Sequence, residues 1–248
     1  MKRFSYDEYK EIIKYLSTYL NIIDFKKITK TSSNFLLLRH DIEFSVTRAL
    51  GMGELEKDLS VKSSYFFQMR NSAYNIASRE NIKIIKELAK MGHKIGLHVH
   101  KNGNIFKNKK QLEKFILDEK NLFEKIVGLK IDRYSFHRPN YFELESNLEI
   151  NNLVNTYHSK YFTFFKHKKI KNPHVKYYSD SLHKWEHGHP LKSNKKYKKI
   201  QLLTHPYSWS EEGYDNISNY TKLIRERNEE LLTSMDSETK TFPKELLI

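Results

Sequence analysis

Near the N-terminus apolar residues recur at helical spacing. Tyr9, Ile12, Ile13, Leu16 and Leu20 share one face of a segment spanning 6–20, which predicts an amphipathic helix. Ser5 stands at the N-cap position with Glu8 three residues on, the pattern of a capping box. The periodicity then gives way to an apolar run at 35–38, which predicts a buried strand over 35–41. From there strand-like and helix-like stretches alternate. A helix over 45–59 is opened by Ser45, and "SSYFFQM" (63–69) reads as a strand. "SRENIKIIKELAKMG" (78–92) reads as a helix ended by Gly92, a residue suited to the position just past a helix. "HKIGLHVH" (93–100) is a strand, 110–127 a helix, "DRYSFHR" (132–138) a strand and 141–154 a helix. Short strands are expected near 155–165 and 174–180, a last strand in "KIQLLTHP" (199–206), and a charged closing helix over 214–234.

Alternation of this kind predicts an α/β fold with a parallel sheet covered by helices. About seven strand–helix units in 248 residues suit a barrel better than an open sheet. No repeat, linker or low-complexity tract interrupts the pattern, so one domain over 1–248 is expected.

Composition narrows the chemistry. With 38% hydrophobic and 13% aromatic residues, the chain can bury a core and does not have the profile of a disordered protein. The absence of cysteine excludes disulfides, thiolate nucleophiles and cysteine-bound zinc, and fits a reducing compartment. A net charge of +14 favours anionic partners, while the bland reading is a solvated lysine-rich surface from a biased composition. The N-terminal stretch is charged and amphipathic, without the apolar core or cleavage site of a signal peptide. No apolar run is long enough to span a membrane. A soluble, cytoplasmic protein is therefore expected.

The candidate chemistry lies at the strand ends. In parallel barrels reactive groups sit at the C-terminal ends of strands. Here one run ends in Asp41 and Glu43, another in His98 and His100, another in His137 and Arg138; "VKYYSDS" ends in Asp180 and the last run in His205. Residues i and i+2 of a strand share a face, so Asp41 and Glu43 point one way, as do Gly96, His98 and His100. Carboxylates and imidazoles aimed into one mouth suit a divalent metal, zinc above all, which accepts both ligand types and leaves a position for water. Asp41 is then a candidate base for that water and His205 a candidate acid for the leaving group. Arg138 is a candidate fork for a carboxylate, with Asp180 holding either Arg138 or His205.

"RHDIE" (39–43), "GHKIGLHVH" (92–100), "FHRP" (136–139), "DSLHKW" (180–185) and "LLTHP" (202–206) follow the order found in NodB-type polysaccharide deacetylases, carbohydrate esterase family 4. Over about residues 34–210 the chain resembles that family, and more closely its relatives tied to bacterial surface-polysaccharide and lipopolysaccharide synthesis. The resemblance implies a distorted (β/α)7 TIM-like barrel that removes N- or O-acetyl groups from sugars with zinc or a similar divalent ion. It implies Asp41 as catalytic base, Glu43 and His98 as metal ligands, Arg138 as the arginine orienting the base, Asp180 as the acid that steadies the catalytic pairs, Trp185 as a wall of the acetyl pocket and His205 as general acid. Two departures stand out. Glu43 replaces the usual aspartate, and Asn102 occupies the position of the family's second metal histidine. His100 or His137 must then supply the third ligand, with His137 otherwise facing substrate. The alternative is a degenerate barrel that binds an anionic glycan without turning it over.

Other features carry less chemistry. Tyr65, Phe66 and Phe67 read as barrel wall, with Gln68 within reach of the mouth. His187 and His189 offer a second metal pair, although their Gly- and Pro-containing loop reads as solvated. Tyr207 and Trp209 are candidates for a sugar platform or for packing under the rim. Lysine clusters at 107–110, 166–172 and 192–199 could attract a phosphate-linked sugar. No nucleic-acid-binding motif is present, and no glycine-rich phosphate loop.

Overall fold

The computed structural model describes residues 2–29, 31–163 and 173–246. Seven parallel strands form one sheet in the order β5-β4-β3-β2-β1-β7-β6. They are β1 (Phe35–Ile42), β2 (Ser64–Phe67), β3 (Lys94–Val99), β4 (Arg133–Phe136), β5 (Val154–Asn155), β6 (Lys176–Ser179) and β7 (Lys199–Thr204). The helices are α1 (Tyr6–Ser17), α2 (Val46–Asp58), α3 (Arg79–Lys90), α4 (Lys109–Val127), α5 (Tyr141–Ser146) and α6 (Asn216–Glu238).

The sheet is curled into a distorted half-barrel. Gln201 on β7 donates to the carbonyls of Thr156 (2.9 Å) and Tyr161 (2.8 Å), just beyond β5 at the far edge. Arg39 of the central strand reaches the hydroxyl of Tyr157 at 3.2 Å. Among the described residues no ladder joins β5 to β6.

All eight residues of β1 are buried, and their alternation builds two layers. Leu36 and Leu38 point out and pack with Tyr9, Ile12, Ile13, Leu16, Met52 and Leu55 of α1 and α2. Phe35 and Leu37 point in and pack with Phe25, Val154, Tyr161 and Val175, forming an apolar plug below the polar mouth. Each such side chain contributes roughly 1.5–3 kcal/mol by leaving water. A third cluster covers β2 to β4 with Ile85 and Leu88 of α3 and Leu112, Ile116 and Phe123 of α4. Inside, Gly96 is required for space: a Cβ there would lie 2.6 Å from Arg133 Cγ and from the Phe66 ring.

One outward side chain of β1 is polar. His40 places Nε2 3.0 Å from Glu56 Oε1 and Nδ1 2.7 Å from Thr204 Oγ1. Glu56, fully buried, also accepts from the hydroxyls of Tyr9, Ser63 and Tyr65. Burial alone would raise its pKa, but the neighbouring His40 and His93 and these donors hold it down at about 2. His40 is thereby committed to tying α1 and α2 onto the sheet.

Local signals account for the boundaries. Ser45, Ser78, Asn108 and Asp215 cap α2, α3, α4 and α6 by accepting backbone N–H bonds, each satisfying a donor the helix leaves open. Ser5 caps α1, though the Glu8 carboxylate binds the N–H of Phe4 rather than that of Ser5. The helix expected over 141–154 is shorter and ends at Ser146. Asn147 adopts the left-handed region (φ 43°, ψ 45°), which asparagine tolerates better than most residues, and the chain turns before β5. The closing helix runs on to Glu238. Among the described residues no helix is long and apolar enough to cross a membrane.

Candidate active site

The inward row of β1 sets the site. Above Phe35 and Leu37 come Arg39, Asp41 and, just past the strand, Glu43. Arg39 is fully buried and grips Asp41 with both ends of its fork, Nε to Oδ1 at 2.9 Å and Nη2 to Oδ2 at 2.6 Å. It also donates to Gln201 Oε1 at 3.2 Å and Tyr157 OH at 3.2 Å. Burial alone would raise the Asp41 pKa; the charge and hydrogen bonds of Arg39, with His98 beside it, hold the carboxyl below its usual range.

Neighbouring strands contribute imidazoles. His98 on β3 lies opposite Ser135 on β4 in the ladder, and its Nδ1 is 2.7 Å from Ser135 Oγ. Ser135 Oγ in turn donates to Asp41 Oδ1 at 3.2 Å. His98 Nε2 is buried and has no hydrogen-bond partner among the described residues; Glu43 Oε1 lies 3.8 Å from it. His137, two residues beyond Ser135, places Nδ1 3.0 Å from the same Glu43 oxygen and 3.2 Å from Gln68 Nε2. Donor atoms of Glu43, His98 and His137 all lie within 4.8 Å of one another. Burial lowers the pKa of His98 against the pull of Asp41 and Glu43, which favours the neutral ring.

The third wall comes from β6 and β7. Asp180 accepts from the backbone N–H of His205 (2.9 Å to Oδ2), from His205 Nδ1 (2.6 Å) and from Trp209 Nε1 (2.7 Å). His205 Nε2 faces Glu43 Oε1 at 3.9 Å. Burial alone would lower the pKa of His205, but the charge and hydrogen bond of Asp180, with Glu43 and Asp41 behind them, carry it up to about 9. The ring is therefore an imidazolium at neutral pH, its free N–H aimed into the mouth.

Asp41, Glu43, His98, His137, Asp180 and His205 thus converge, and other candidates from the sequence do not. Arg138 is exposed, in the left-handed region at φ 47°, and makes no hydrogen bond or ion pair among the described residues; the arginine on Asp41 is Arg39. His100 binds the carbonyl of Arg70 (3.1 Å) and stacks edge-on to His137 at 4.7 Å, outside the Glu43–His98–His137 group, because β3 ends at Val99 and the strand alternation ends with it. Trp209 is fully buried, so it supports Asp180 and offers no platform to a sugar. Tyr207 is buried against Phe44. Trp185 packs with Phe4 and the α1 cluster on the helix side of the sheet, away from the mouth. His189 is spent on Glu8 (3.1 Å). Of the lysine clusters, 107–110 is exposed, 192–199 places Lys195 and Lys198 over Tyr19, and 166–172 lies outside the described residues. Arg39, Ser135, Gln68 and Gln201 line the site, and only Gln68 was anticipated. Strand parity marks two of the others: Arg39 precedes Asp41 by two residues, and Ser135 precedes His137 by two.

No protein-family model matches the chain, and no curated protein matches it. Solved structures similar to it are carbohydrate esterase family 4 proteins, matched at high probability and low identity. One is a family 4 pseudoenzyme from Bacillus anthracis, with 11% identity, a TM-score of 0.42, and coverage of 82% of this chain and 63% of that one. Another is a peptidoglycan N-acetylglucosamine deacetylase, with 13% identity, a TM-score of 0.41, and coverage of 90% and 91%. A third is a family 4 acetyl xylan esterase from Clostridium thermocellum in complex with cobalt, with 17% identity, a TM-score of 0.39, and coverage of 69% and 73%. The chain spans less than two thirds of the length of the pseudoenzyme.

Proposed function

We propose that the protein is a metal-dependent hydrolase that removes an acetyl group from a sugar or surface-polysaccharide precursor. The observation that carries this reading is the meeting of Glu43, His98 and His137 at the mouth, with His98 Nε2 buried and without a hydrogen-bond partner among the described residues. A carboxylate and two imidazoles are a donor set that zinc and similar ions accept. These three residues would hold the ion, with His137 as third ligand, and when bound it would polarise the acyl oxygen and acidify a water.

The chain's own residues supply the proton transfers. Asp41 Oδ2 keeps a lone pair beyond its bond to Arg39 and accepts the proton of the attacking water. The water oxygen bonds to the acyl carbon. As the bond from that carbon to the sugar nitrogen or oxygen breaks, His205 Nε2 donates its proton to the leaving atom, and acetate departs. Asp180 keeps His205 charged and oriented for that step.

A second reading, a glycan-binding barrel without turnover, is favoured by the grip of Arg39 on both Asp41 oxygens, which makes Asp41 a weak base. One experiment separates the two. Purified protein is stripped with a chelator, reloaded with zinc or cobalt, and assayed for metal stoichiometry and for acetate release from N-acetylated and O-acetylated sugar oligomers. One ion per chain and acetate release support the hydrolase. Glycan binding without acetate release supports the second reading. The absence of any metal overturns the first.

A further inference from the structure

The mouth contains a polar chain two of whose members, Arg39 and Ser135, the reaction above does not use directly. It runs from Arg39 through Asp41 and Ser135 to His98, all four residues nine-tenths buried or more. Its direction is fixed at one end. Arg39 can only donate, so Asp41, bound by both ends of the fork, is an ionised acceptor. Ser135 Oγ, 3.2 Å from Asp41 Oδ1, must then be the donor in that pair. With its single hydrogen so committed, the hydroxyl can meet His98 Nδ1 at 2.7 Å only as acceptor, which requires a hydrogen on Nδ1. A neutral imidazole carrying that hydrogen presents a lone pair at Nε2. Nε2 is the atom left without a partner, facing Glu43.

We propose that Ser135 is a positioning residue that relays the acceptor demand of the Asp41 carboxylate to His98 and locks it as the Nδ1–H tautomer, with its Nε2 lone pair turned to the mouth before any ligand arrives. This reverses the ordinary preference of a histidine side chain, which favours the hydrogen on Nε2. Asp41 cannot do this alone, since its Oδ2 is 3.6 Å from His98 Nδ1, too long for a strong hydrogen bond. Outer partners of this kind orient a metal-binding imidazole and raise its basicity, and their loss typically costs about 10–100-fold in metal affinity. The value for metal binding rests on the proposed hydrolase reading; the tautomer does not.

The test uses the full chain, metal-free after chelator treatment. Long-range nitrogen–proton correlation spectra of the imidazoles, with His98 assigned through His98→Gln, report which ring nitrogen carries hydrogen. In the wild type Nδ1 is expected to be protonated and Nε2 bare. In Ser135→Ala the ring is expected to move to Nε2–H or to a mixture, and Ser135→Thr, which keeps the hydroxyl, restores the wild-type pattern. Cobalt(II) affinity by calorimetry is expected to fall about 10–100-fold in Ser135→Ala and to recover in Ser135→Thr. A wild-type His98 protonated on Nε2 overturns the proposal without any variant, and so does an unchanged tautomer in Ser135→Ala. If the tautomer responds as expected but cobalt binds neither wild type nor variant, the positioning role stands and the metal reading falls.

Discussion

Asp180→Asn probes the acid side of the site. The substitution keeps the shape of the side chain but removes its charge, and it sets an amide where three donors converge: the His205 backbone N–H, His205 Nδ1 and Trp209 Nε1. The rise of His205 from 6.5 to about 9 corresponds to about 3 kcal/mol of stabilisation of the imidazolium, at 1.36 kcal/mol for each tenfold change. Asp180 is the largest source opposing burial. Without its charge, burial dominates and the ring should titrate at or below its ordinary value of about 6.5. The sign for stability follows. A folded pKa above the unfolded one stabilises the fold fully below about 6.5, and that contribution is lost as pH rises through about 9. The assay is an NMR titration of the His205 ring in chelator-treated protein, where no ion adds its own field. The wild-type midpoint is expected well above 8, and that of Asp180→Asn about two units lower or more. A wild-type midpoint near 6.5, or one that Asp180→Asn leaves in place, refutes the assignment of His205 as a charged donor.

Glu56→Gln replaces a buried acceptor that serves His40, Tyr9, Ser63 and Tyr65. Urea unfolding should show a loss of about 3–5 kcal/mol, whereas Glu54→Gln on the exposed face of α2 should change stability by less than about 0.5 kcal/mol. Because the Glu56 pKa is depressed to about 2, its stabilisation is present above about 4.5 and drains away as pH falls toward 2, and the variant's acid denaturation should lack that limb. His137→Ala should abolish high-affinity cobalt binding by calorimetry, while His100→Ala should leave it within a few-fold. Arg138→Ala, at an exposed position without ion-pair partners, should leave acetate release within about threefold of wild type; a loss near a hundredfold would show that it, and not Arg39, serves the reaction.

Much of this was legible in the chain because strand physics is local. The apolar run at 35–38 and its polar continuation announced a buried strand delivering carboxylates to a mouth, and parity placed Asp41 and Glu43 on one face. The same parity would have placed Arg39 beside them. Arg138, the sequence candidate for that arginine, lies two positions past a strand end, where the backbone leaves the strand at φ 47° and side-chain direction no longer follows alternation. His100 failed for the same reason, one residue beyond the last ladder pair. Of the two readings open for Trp209, the structure shows packing under the rim, and Trp185 packs on the helix side, because composition cannot tell a ring that faces solvent from one buried behind an acid. Ser135 carries no signal by itself: a small hydroxyl in "DRYSFHR" becomes informative only once the register sets it against His98.

The charges that meet at the mouth do not balance, and the imbalance bears on what the site holds. Arg39 neutralises Asp41 within a single strand. Of the other two carboxylates, Asp180 is matched by the His205 imidazolium. Glu43, only about one-seventh exposed, is left with His98 and His137, which must be neutral to act as ligands. Burial alone would drive the Glu43 pKa up; hydrogen bonds from His137 and His98 and the nearby charge of His205 hold it far below its usual range. A strand that spends its first acid on an internal ion pair and points its second at His98 and His137 leaves the mouth with one negative charge in excess. A bound cation, as the proposed hydrolase requires, would compensate it. His137 Nδ1 stands 3.0 Å from that carboxylate.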